Sequence, residues 1–367
     1  MHTTKALAEA NRLMTVCNSC RYCEGLCAVF PAMEMRRSFA DGDLNYLANL
    51  CHSCGGCYID CQFTAPHEFD VNVPRTLAIV RSESYAAHVW PQAMSGVFRR
   101  NGLVISLLTA ATISAFFIGM MLVHSSGGMF RAYADADGSF YALMPHNVMA
   151  GVFTAVSAVA ALAMVLSIRN FWRAAGTSLP IAMAPADIWQ AIRDAATMRY
   201  LEGGGQGCYE DEAVGTDNRR FYHHLTFYGF MLCFASTSVA TSYHYLLGME
   251  APYPWYDLPV VLGTIGGIGL LIGPVGLLLA KKKRDPMVQD DSFRGMEVGF
   301  IVMLFLTSLT GLALMLMRET AAMGVLLALH LGIVAALFLT MPYGKFMHGL
   351  YRFTALVRYS AERRLHM

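Results

Sequence analysis

Apolar and polar positions are mixed over roughly the first hundred residues, whereas the rest of the chain alternates long apolar runs with polar loops. Each run has about 20 residues, enough to cross a hydrocarbon core of about 30 Å as a helix that rises about 1.5 Å per residue. The six runs cover about 102–123, 147–168, 225–247, 258–280, 297–317 and 321–341. This pattern predicts an all-α membrane protein in which residues 96–367 form a six-helix transmembrane bundle.

Basic residues concentrate in alternate loops and after the last run, while the other loops carry few. They are Arg99, Arg100, Arg169, Arg173, Arg193, Arg199, Arg219, Arg220, Lys281, Lys282, Lys283, Arg284, Lys345, Arg352, Arg358, Arg363 and Arg364. Loops rich in Lys and Arg stay in the cytoplasm. We therefore expect a multi-pass protein of the cytoplasmic (inner) membrane with both termini cytoplasmic. Residues 1–14 lack the apolar stretch of a signal peptide, which agrees with this orientation.

The composition supports a lipid bilayer as the surroundings of most of the chain. Of the 367 residues, 55% are hydrophobic and 14% are charged, against about 25% charged in soluble domains. The net charge of +1 gives no indication of a nucleic-acid partner.

Residues 1–95 carry a doubled cysteine pattern. CNSCRYCEGLC and CHSCGGCYIDC each have the spacing C-x2-C-x2-C-x3-C, which is typical of ferredoxins with two [4Fe–4S] clusters. Three cysteines of one block can bind three corners of a cubane, and the fourth then reaches the neighbouring cluster. The predicted ligand sets are Cys17, Cys20, Cys23 and Cys61 for the first cluster, and Cys51, Cys54, Cys57 and Cys27 for the second.

Two other uses of these cysteines fit less well. Structural zinc sites usually take two separated cysteine pairs, so the additional thiols of each block are unneeded. Disulfides require an oxidising compartment, which the expected cytoplasmic orientation excludes. The bacterial pattern has Pro after the fourth cysteine, whereas Ala28 and Gln62 stand there. The module can therefore be mostly helical or a compact β-ferredoxin.

Several further residues could belong to a site but are expected to have ordinary roles. His52 and His67 lie in and just after the second block, where four thiolates already complete each cluster. Cys208 and Cys233 lie outside the blocks and are interpreted as ordinary thiols. The long loop 169–222 contains GGGQGC, which lacks the preceding strand of a dinucleotide-binding motif. It is either a linker or a loop that docks on the cysteine module.

Histidines in and next to the apolar runs form a second candidate site, because ionisable groups inside a bilayer are functional candidates. His330 and His348 are 18 residues apart, five whole helical turns, and so share a face. On the third run, His223 and His244 are about 60° from sharing a face, whereas His224 and His244 are about 160° apart. Two pairs result, His223 with His348 and His244 with His330. Paired axial histidines from facing helices predict one or two b haems.

Other histidines remain alternatives. His224 could replace His223, and His124 or His146 could replace His244. These rings could also be interface residues that bond to carbonyl groups.

The doubled cysteine run, the six spans and the segment RRFYHHLTFYGFMLCFAST resemble the tricarballylate utilization protein B family, also called CitB, over nearly the whole chain. The last apolar run with MPYGKFMHGLYR also resembles one haem-binding helix of the nitrate reductase gamma subunit family. The first resemblance implies a protein that accepts electrons from an FAD-dependent tricarballylate dehydrogenase and passes them to membrane quinone. The second implies haem ligands at His330 and His348.

We accordingly expect an oxidoreductase component that transfers electrons and has no substrate site of its own. The sequence contains nothing that resembles a flavin site, a catalytic triad or a phosphate loop. Two other hypotheses remain at this stage. The chain could be the membrane subunit of another oxidoreductase, such as a heterodisulfide-reductase-like enzyme. It could also be a membrane redox sensor or an assembly protein without quinone turnover.

Overall fold

A computed structural model describes residues 2–133, 139–211 and 214–366 of the protein. Its first part, the cysteine module, is a set of helices: α1 (Lys5–Cys20), α2 (Val29–Glu34), α3 (Asp41–Leu50), α4 (Gly56–Ile59), α5 (Val73–His88) and α6 (Ser95–Arg99). The Thr4 side chain caps α1 by accepting a hydrogen bond from the Leu7 amide, and the Asn72 side chain caps α5 in the same way. Of the two ferredoxin types predicted, the mostly helical one is confirmed.

The remaining elements are also helical apart from one small hairpin. They are α7 (Asn101–Met129), α8 (Ser139–Leu143), α9 (His146–Ala174), α10 (Pro185–Thr197), β1 (Cys208–Asp211), β2 (Val214–Thr216), α11 (Asn218–Leu247), α12 (Leu258–Lys283), α13 (Arg294–Leu316), α14 (Met323–Thr340) and α15 (Met347–His366). The strands β1 and β2 pair antiparallel. Helices α7, α9, α11, α12, α13 and α14 are long and apolar enough to cross a membrane, which confirms the predicted six spans.

Small residues bring α11 and α12 into close contact. A Cβ atom on Gly266 would lie 2.7 Å from the Gly229 carbonyl oxygen, and one on Gly273 would lie 2.4 Å from the Thr226 hydroxyl oxygen. Helices in lipid associate through such close approaches, since burial of apolar surface does not drive them together there. On the other side of the bundle, α14 packs against α7 and α13, and Thr112 donates a 2.8 Å hydrogen bond to the Gly332 carbonyl.

The final helix, α15, belongs to the core of the cysteine module rather than to the bundle. Tyr351 and Leu356 of α15 are buried in one apolar cluster with Leu13 of α1 and Leu47 of α3. The end of α9 also joins this cluster, where the rings of Phe171 and Tyr351 stack with centroids 4.7 Å apart. The core of the module therefore includes residues on both sides of the boundary predicted near residue 95, and the module sits at one end of the bundle. We call this the module end and the opposite one the far end.

A buried ionic network fixes α15 to the module. Glu362 Oε1 accepts hydrogen bonds from Arg36 Nη2 at 2.6 Å and from Arg358 Nε at 2.9 Å, and Oε2 accepts one from the Tyr46 hydroxyl at 3.0 Å. Arg36 Nε also donates to Asp43 Oδ1 at 2.9 Å. Because the charges have lost their water, each depends on its partners for solvation.

Replacing Glu362 with Ala leaves Arg36 and Arg358 buried without their shared acceptor. We expect a loss of about 3–5 kcal/mol of stability, the usual effect of breaking a buried pair, measured from the unfolding midpoint of the detergent-solubilised protein. The matched control is Glu9→Ala, because Glu9 and its partner Arg12 are 41% and 43% exposed, and such pairs contribute about 1 kcal/mol or less. Equal losses in both variants would contradict the assigned role of the network.

Candidate functional site

The first predicted cysteine set surrounds a cavity in the module. Cys17, Cys20, Cys23 and Cys61 line a space of about 220 Å³, with Cys57 at its edge. Arg21, which has a left-handed φ of 57°, ends α1 directly after Cys20. The structure therefore brings together the four thiols predicted for one cluster, three from the first block and one from the second.

The second set lines a smaller cavity of about 20 Å³. Its cysteines are Cys27, Cys51, Cys54 and Cys57, again three from one block and one from the other. Among the described residues, no group of three or more His, Cys, Asp or Glu side chains could hold a single metal ion. The thiols of a cubane each bind a different iron, whereas the four ligands of a structural zinc site bind one ion. The individual ligand assignments stay predictions.

Burial makes Cys17 and Cys27, one thiol from each set, poor anions in the absence of metal. It raises the pKa of Cys17 to about 12, and the other three thiols of the set add to the shift. Burial likewise raises the pKa of Cys27, with Cys54 and Cys51 as the next contributors. Iron–sulfur ligation requires thiolates, and a bound metal deprotonates a coordinating thiol outright. Cys17 and Cys27 would therefore give up their protons on cluster binding.

The glycine-rich segment of the long loop closes over the second set. The Tyr209 amide donates a 2.8 Å hydrogen bond to the Cys54 carbonyl, and Gly204, with φ of 76°, packs against Leu26. A side chain at Gly204 would be strained by this φ and would also crowd Leu26. Of the two interpretations of the loop, these contacts support docking on the module. Cys208, just beyond, is buried and its Sγ lies 3.2 Å from the Leu201 carbonyl oxygen.

Two histidines come together where the bundle meets the module. The rings of His223 on α11 and His348 on α15 have centroids 6.0 Å apart and planes at 78°. Two imidazoles at this separation could hold one metal ion between them, since each metal–nitrogen bond is about 2 Å long. His348 Nδ1 lies 2.5 Å from the Lys345 carbonyl oxygen, so Nδ1 is the donor and Nε2 is free to bind a metal.

Among the described residues, three ring nitrogens of the candidate histidines are buried without a hydrogen-bond partner. They are Nδ1 of His223, of His146 and of His244. Burial lowers the pKa of His348 well below its usual value, so this ring is neutral, the form that binds metal. Few residues of α11 are buried inside the protein. In an apolar stretch of 18 residues, 6% of the residues of α11 are buried, against 61% in the corresponding stretch of α14. Much of the surface of α11 is therefore open to lipid or a cofactor.

The structure pairs the far-end histidines differently from the prediction. His244 stacks on His146 of α9, with centroids 3.7 Å apart and planes at 24°. His330 instead lies near the middle of α14, where Nδ1 is 3.0 Å from the Thr310 hydroxyl. Because α14 packs against α7 and α13, periodicity on α14 alone could not identify the helix facing His244. His146 therefore takes the place expected for His330 beside His244.

The other candidates have partners of their own. His224 Nε2 lies 3.2 Å from the Ala196 carbonyl oxygen. The side chain of His124 lies outside the described ones. His52 Nδ1 bonds to the Leu50 carbonyl at 3.0 Å, and His67 packs between Phe63 and Phe69. Every haem-ligand role stays a prediction.

Sequence reasoning missed a group of arginines around the second cysteine set. Arg81, Arg219, Arg284 and Arg352 all donate hydrogen bonds to the backbone between Asn49 and Ser53. Arg219 precedes His223 by four residues and Arg352 follows His348 by four. This i, i+4 spacing places each arginine on the face of its histidine and could have revealed two of the four.

The fold and the cysteine sets define a class of protein, a membrane protein with a helical ferredoxin-like domain at its N terminus. Comparison with known families gives the next step. Residues 96–367 match the family described as Citrate utilization protein B, and residues 10–87 match the Citrate utilization protein B Fer4-like domain. The chain belongs to the Citrate utilization protein B family, which confirms the resemblance seen in the sequence.

One known relative agrees with this assignment. The chain is 47% identical to the Citrate utilization protein B of Escherichia coli over 362 residues, which cover 98% of this chain and 94% of the relative. No solved structure matches the chain significantly. The Fer4-like match supports iron–sulfur binding by the cysteine module.

Replacing Cys20 with Ala removes one thiol of the first set and no ligand of the second. We expect the purified protein to lose about four of about eight cluster irons with matching acid-labile sulfide, measured by iron and sulfide assays. Cys233→Ala is the control, because Cys233 lies on α11 away from both cavities. An unchanged iron content in Cys20→Ala would contradict this ligand set.

Proposed function

We propose that this chain is a membrane electron-transfer protein that reoxidises a cytoplasmic FAD-dependent dehydrogenase and delivers the electrons to quinone. When bound, two [4Fe–4S] clusters and b haem supply the one-electron chemistry. The protein supplies their spacing, their surroundings and the surfaces on which the donor and quinone act. The chain itself has no role in substrate chemistry.

The observation that carries this proposal is the order of the sites along one line of contacts. The first cysteine set opens at the surface, where Cys20 is exposed and Tyr22 is 73% exposed. Cys57 lines both cavities and so joins the two sets. Beyond the second set, Arg219 donates to the His52 carbonyl at 3.1 Å, and His223 follows one turn later. A surface donor, two clusters and a haem at the membrane can thus lie in sequence.

The histidines of the module end are the better supported haem ligands. His223 and His348 are correctly separated for an iron between them, and His348 is oriented by the Lys345 carbonyl. At the far end, the stacked rings of His146 and His244 are too close for an iron between them and would have to separate. We therefore propose one haem at the module end and place a second, if present, at His146 and His244 or at His330.

The substrate of the donor dehydrogenase is inferred from relationship rather than geometry. The Escherichia coli relative carries citrate utilization in its name. The sequence resemblance implies tricarballylate dehydrogenase as the donor, and tricarballylate is a close chemical relative of citrate. We propose this flavoprotein, or a similar one acting on a tricarboxylate, as the partner at the surface around Cys20 and Tyr22.

We propose that the protein lies in the cytoplasmic membrane with its cysteine module in the cytoplasm. The module end carries Lys281, Lys282 and Lys283 at the end of α12, and the positive-inside rule places such residues in the cytoplasm. A soluble flavoprotein and the iron–sulfur module would then share one compartment, where thiols stay reduced.

His348→Ala is expected to remove the haem at the module end. The pyridine haemochrome content per protein should fall by at least half, and the cluster iron should be unchanged because no cysteine is altered. His224→Ala is the matched control, since His224 lies next to His223 but bonds to the Ala196 carbonyl. Equal haem content in the two variants would exclude His348 as a ligand.

The function itself is tested by mixing the purified wild-type protein with a reduced tricarballylate dehydrogenase and a quinone analogue. We expect flavin reoxidation that depends on the quinone and a reduced-minus-oxidised spectrum with b-haem bands. A protein with clusters but no haem would contradict the assignment of the histidines as haem ligands. No flavin reoxidation would contradict the proposed partner.

A further inference from the structure

Four arginines from four separate segments converge on the chain between Asn49 and Ser53, next to the second cysteine set. Arg81 Nη1 and Arg352 Nη2 both donate to the Cys51 carbonyl, at 2.6 and 2.7 Å. Arg219 Nη1 donates to the Ser53 carbonyl at 2.9 Å, and Arg284 binds the same oxygen. Their positive charges are therefore concentrated around Cys51 and its neighbours.

No carboxylate neutralises these cations in the part of the chain that the structure describes. None of the four forms an ion pair within 4.0 Å there. Glu297, the acidic group that acts on Arg81 and Arg284, is already bound by Lys281 and by Lys345 Nζ at 2.6 Å. The acid and its two lysines leave an excess of one positive charge and cannot compensate the arginines.

Burial and the neighbouring positive charges disfavour the charged form of two of these cations, Arg284 and Arg352. Burial, together with the neighbouring guanidiniums of Arg219 and Arg81, lowers the pKa of Arg284 to about 10. Burial and Arg81 lower the pKa of Arg352 to about 10 as well. Buried charges normally have a partner of opposite sign. A cubane with four thiolates carries a net negative charge and lies where such a partner is needed.

We infer that Arg81, Arg219, Arg284 and Arg352 raise the reduction potential of the cluster bound by Cys27, Cys51, Cys54 and Cys57 above that of the other cluster. This inference rests on the two-cluster assignment in the proposed function. With both clusters bound, one electron would pass from the first, which is oxidised, to the second, which is reduced, with no bond or proton exchanged. The added negative charge is stabilised by the four guanidiniums, so electrons are directed from the surface toward the membrane.

The first cavity has the opposite electrostatic character. The charged residue among its lining side chains is Asp60, and its carboxylate also raises the pKa of Cys23. A negative group next to a cluster disfavours an additional electron. The two cavities therefore differ in the sign of their neighbouring charge, which sets the direction of the predicted difference in potential.

The ordering is tested by redox titration of the wild-type protein and of Cys20→Ala, followed by electron paramagnetic resonance. We expect two potentials in the wild type and loss of the lower one in Cys20→Ala. Loss of the higher one, or equal potentials, would overturn the inference.

The part played by the arginines is tested with Arg219→Gln in the Cys20→Ala background. We expect the equilibrium constant for reduction of the remaining cluster to fall about tenfold, which for one electron is about 59 mV. Arg219→Lys keeps the charge and should restore most of the potential. The control is Arg220→Gln, because Arg220 is adjacent but binds Glu202 at 3.2 Å. Equal shifts in Arg219→Gln and Arg220→Gln would overturn the inference.

If Arg219→Gln fails to bind iron, Arg284→Gln takes its place in the comparison with Arg220→Gln, because it also removes one positive charge but from a different segment. These experiments distinguish failure of this inference from failure of the proposed function. Absence of clusters in the wild type would overturn both, whereas clusters of equal potential with intact transfer to quinone would overturn this inference alone.

Discussion

The arrangement of the cysteine module depends on one constraint, that each set of four thiols takes three from one sequence block and one from the other. Cys61 completes the first set and Cys27 completes the second. The two blocks must therefore fold against each other before either set is complete. The helices α1, α3 and α5 provide the apolar core that holds the blocks in this position, and α15 adds Tyr351 and Leu356 from the end of the chain. Cluster binding and module folding are consequently linked, as is general when ligands are brought together only by folding.

Those features whose physical cause is local could be predicted from the sequence. The six spans follow from the length of the apolar runs, and the cysteine sets follow from spacing. His223 and His348 lie close together as predicted, but not through the predicted periodicity, because α14 ends at Thr340 and α15 begins at Met347, so that His330 and His348 do not lie on one continuous helix. The partner of His244 could not be obtained in this way. Its identity depends on which helices are neighbours, and small residues such as Gly266 and Gly332 set those neighbours through close backbone contacts.

The arginine group around Cys51 shows a second limit of sequence reasoning. Arg81, Arg219, Arg284 and Arg352 lie in four segments separated by long stretches of chain, and the basic loops had a sufficient explanation in membrane orientation. Hydrogen bonding to the backbone carbonyls of Cys51 and Ser53 gives some of the same residues a further role. An arginine that follows the positive-inside rule can thus also belong to a site, and only the tertiary structure shows which arginines do.

These contacts also explain why the module and the bundle form one unit. Arg219 begins α11 and Arg352 lies in α15, so the helices that carry His223 and His348 are each bonded directly to the loop that carries the second cysteine set. A shift of that loop would displace both histidines, and a shift of either helix would displace the loop. The proposed electron transfer between neighbouring cofactors would require a constant separation, and direct bonding of both proposed ligand sets to one short segment would provide it. In the inferred ordering of potentials, the positive charge that makes these bonds strong would also favour the electron on the membrane side of the module.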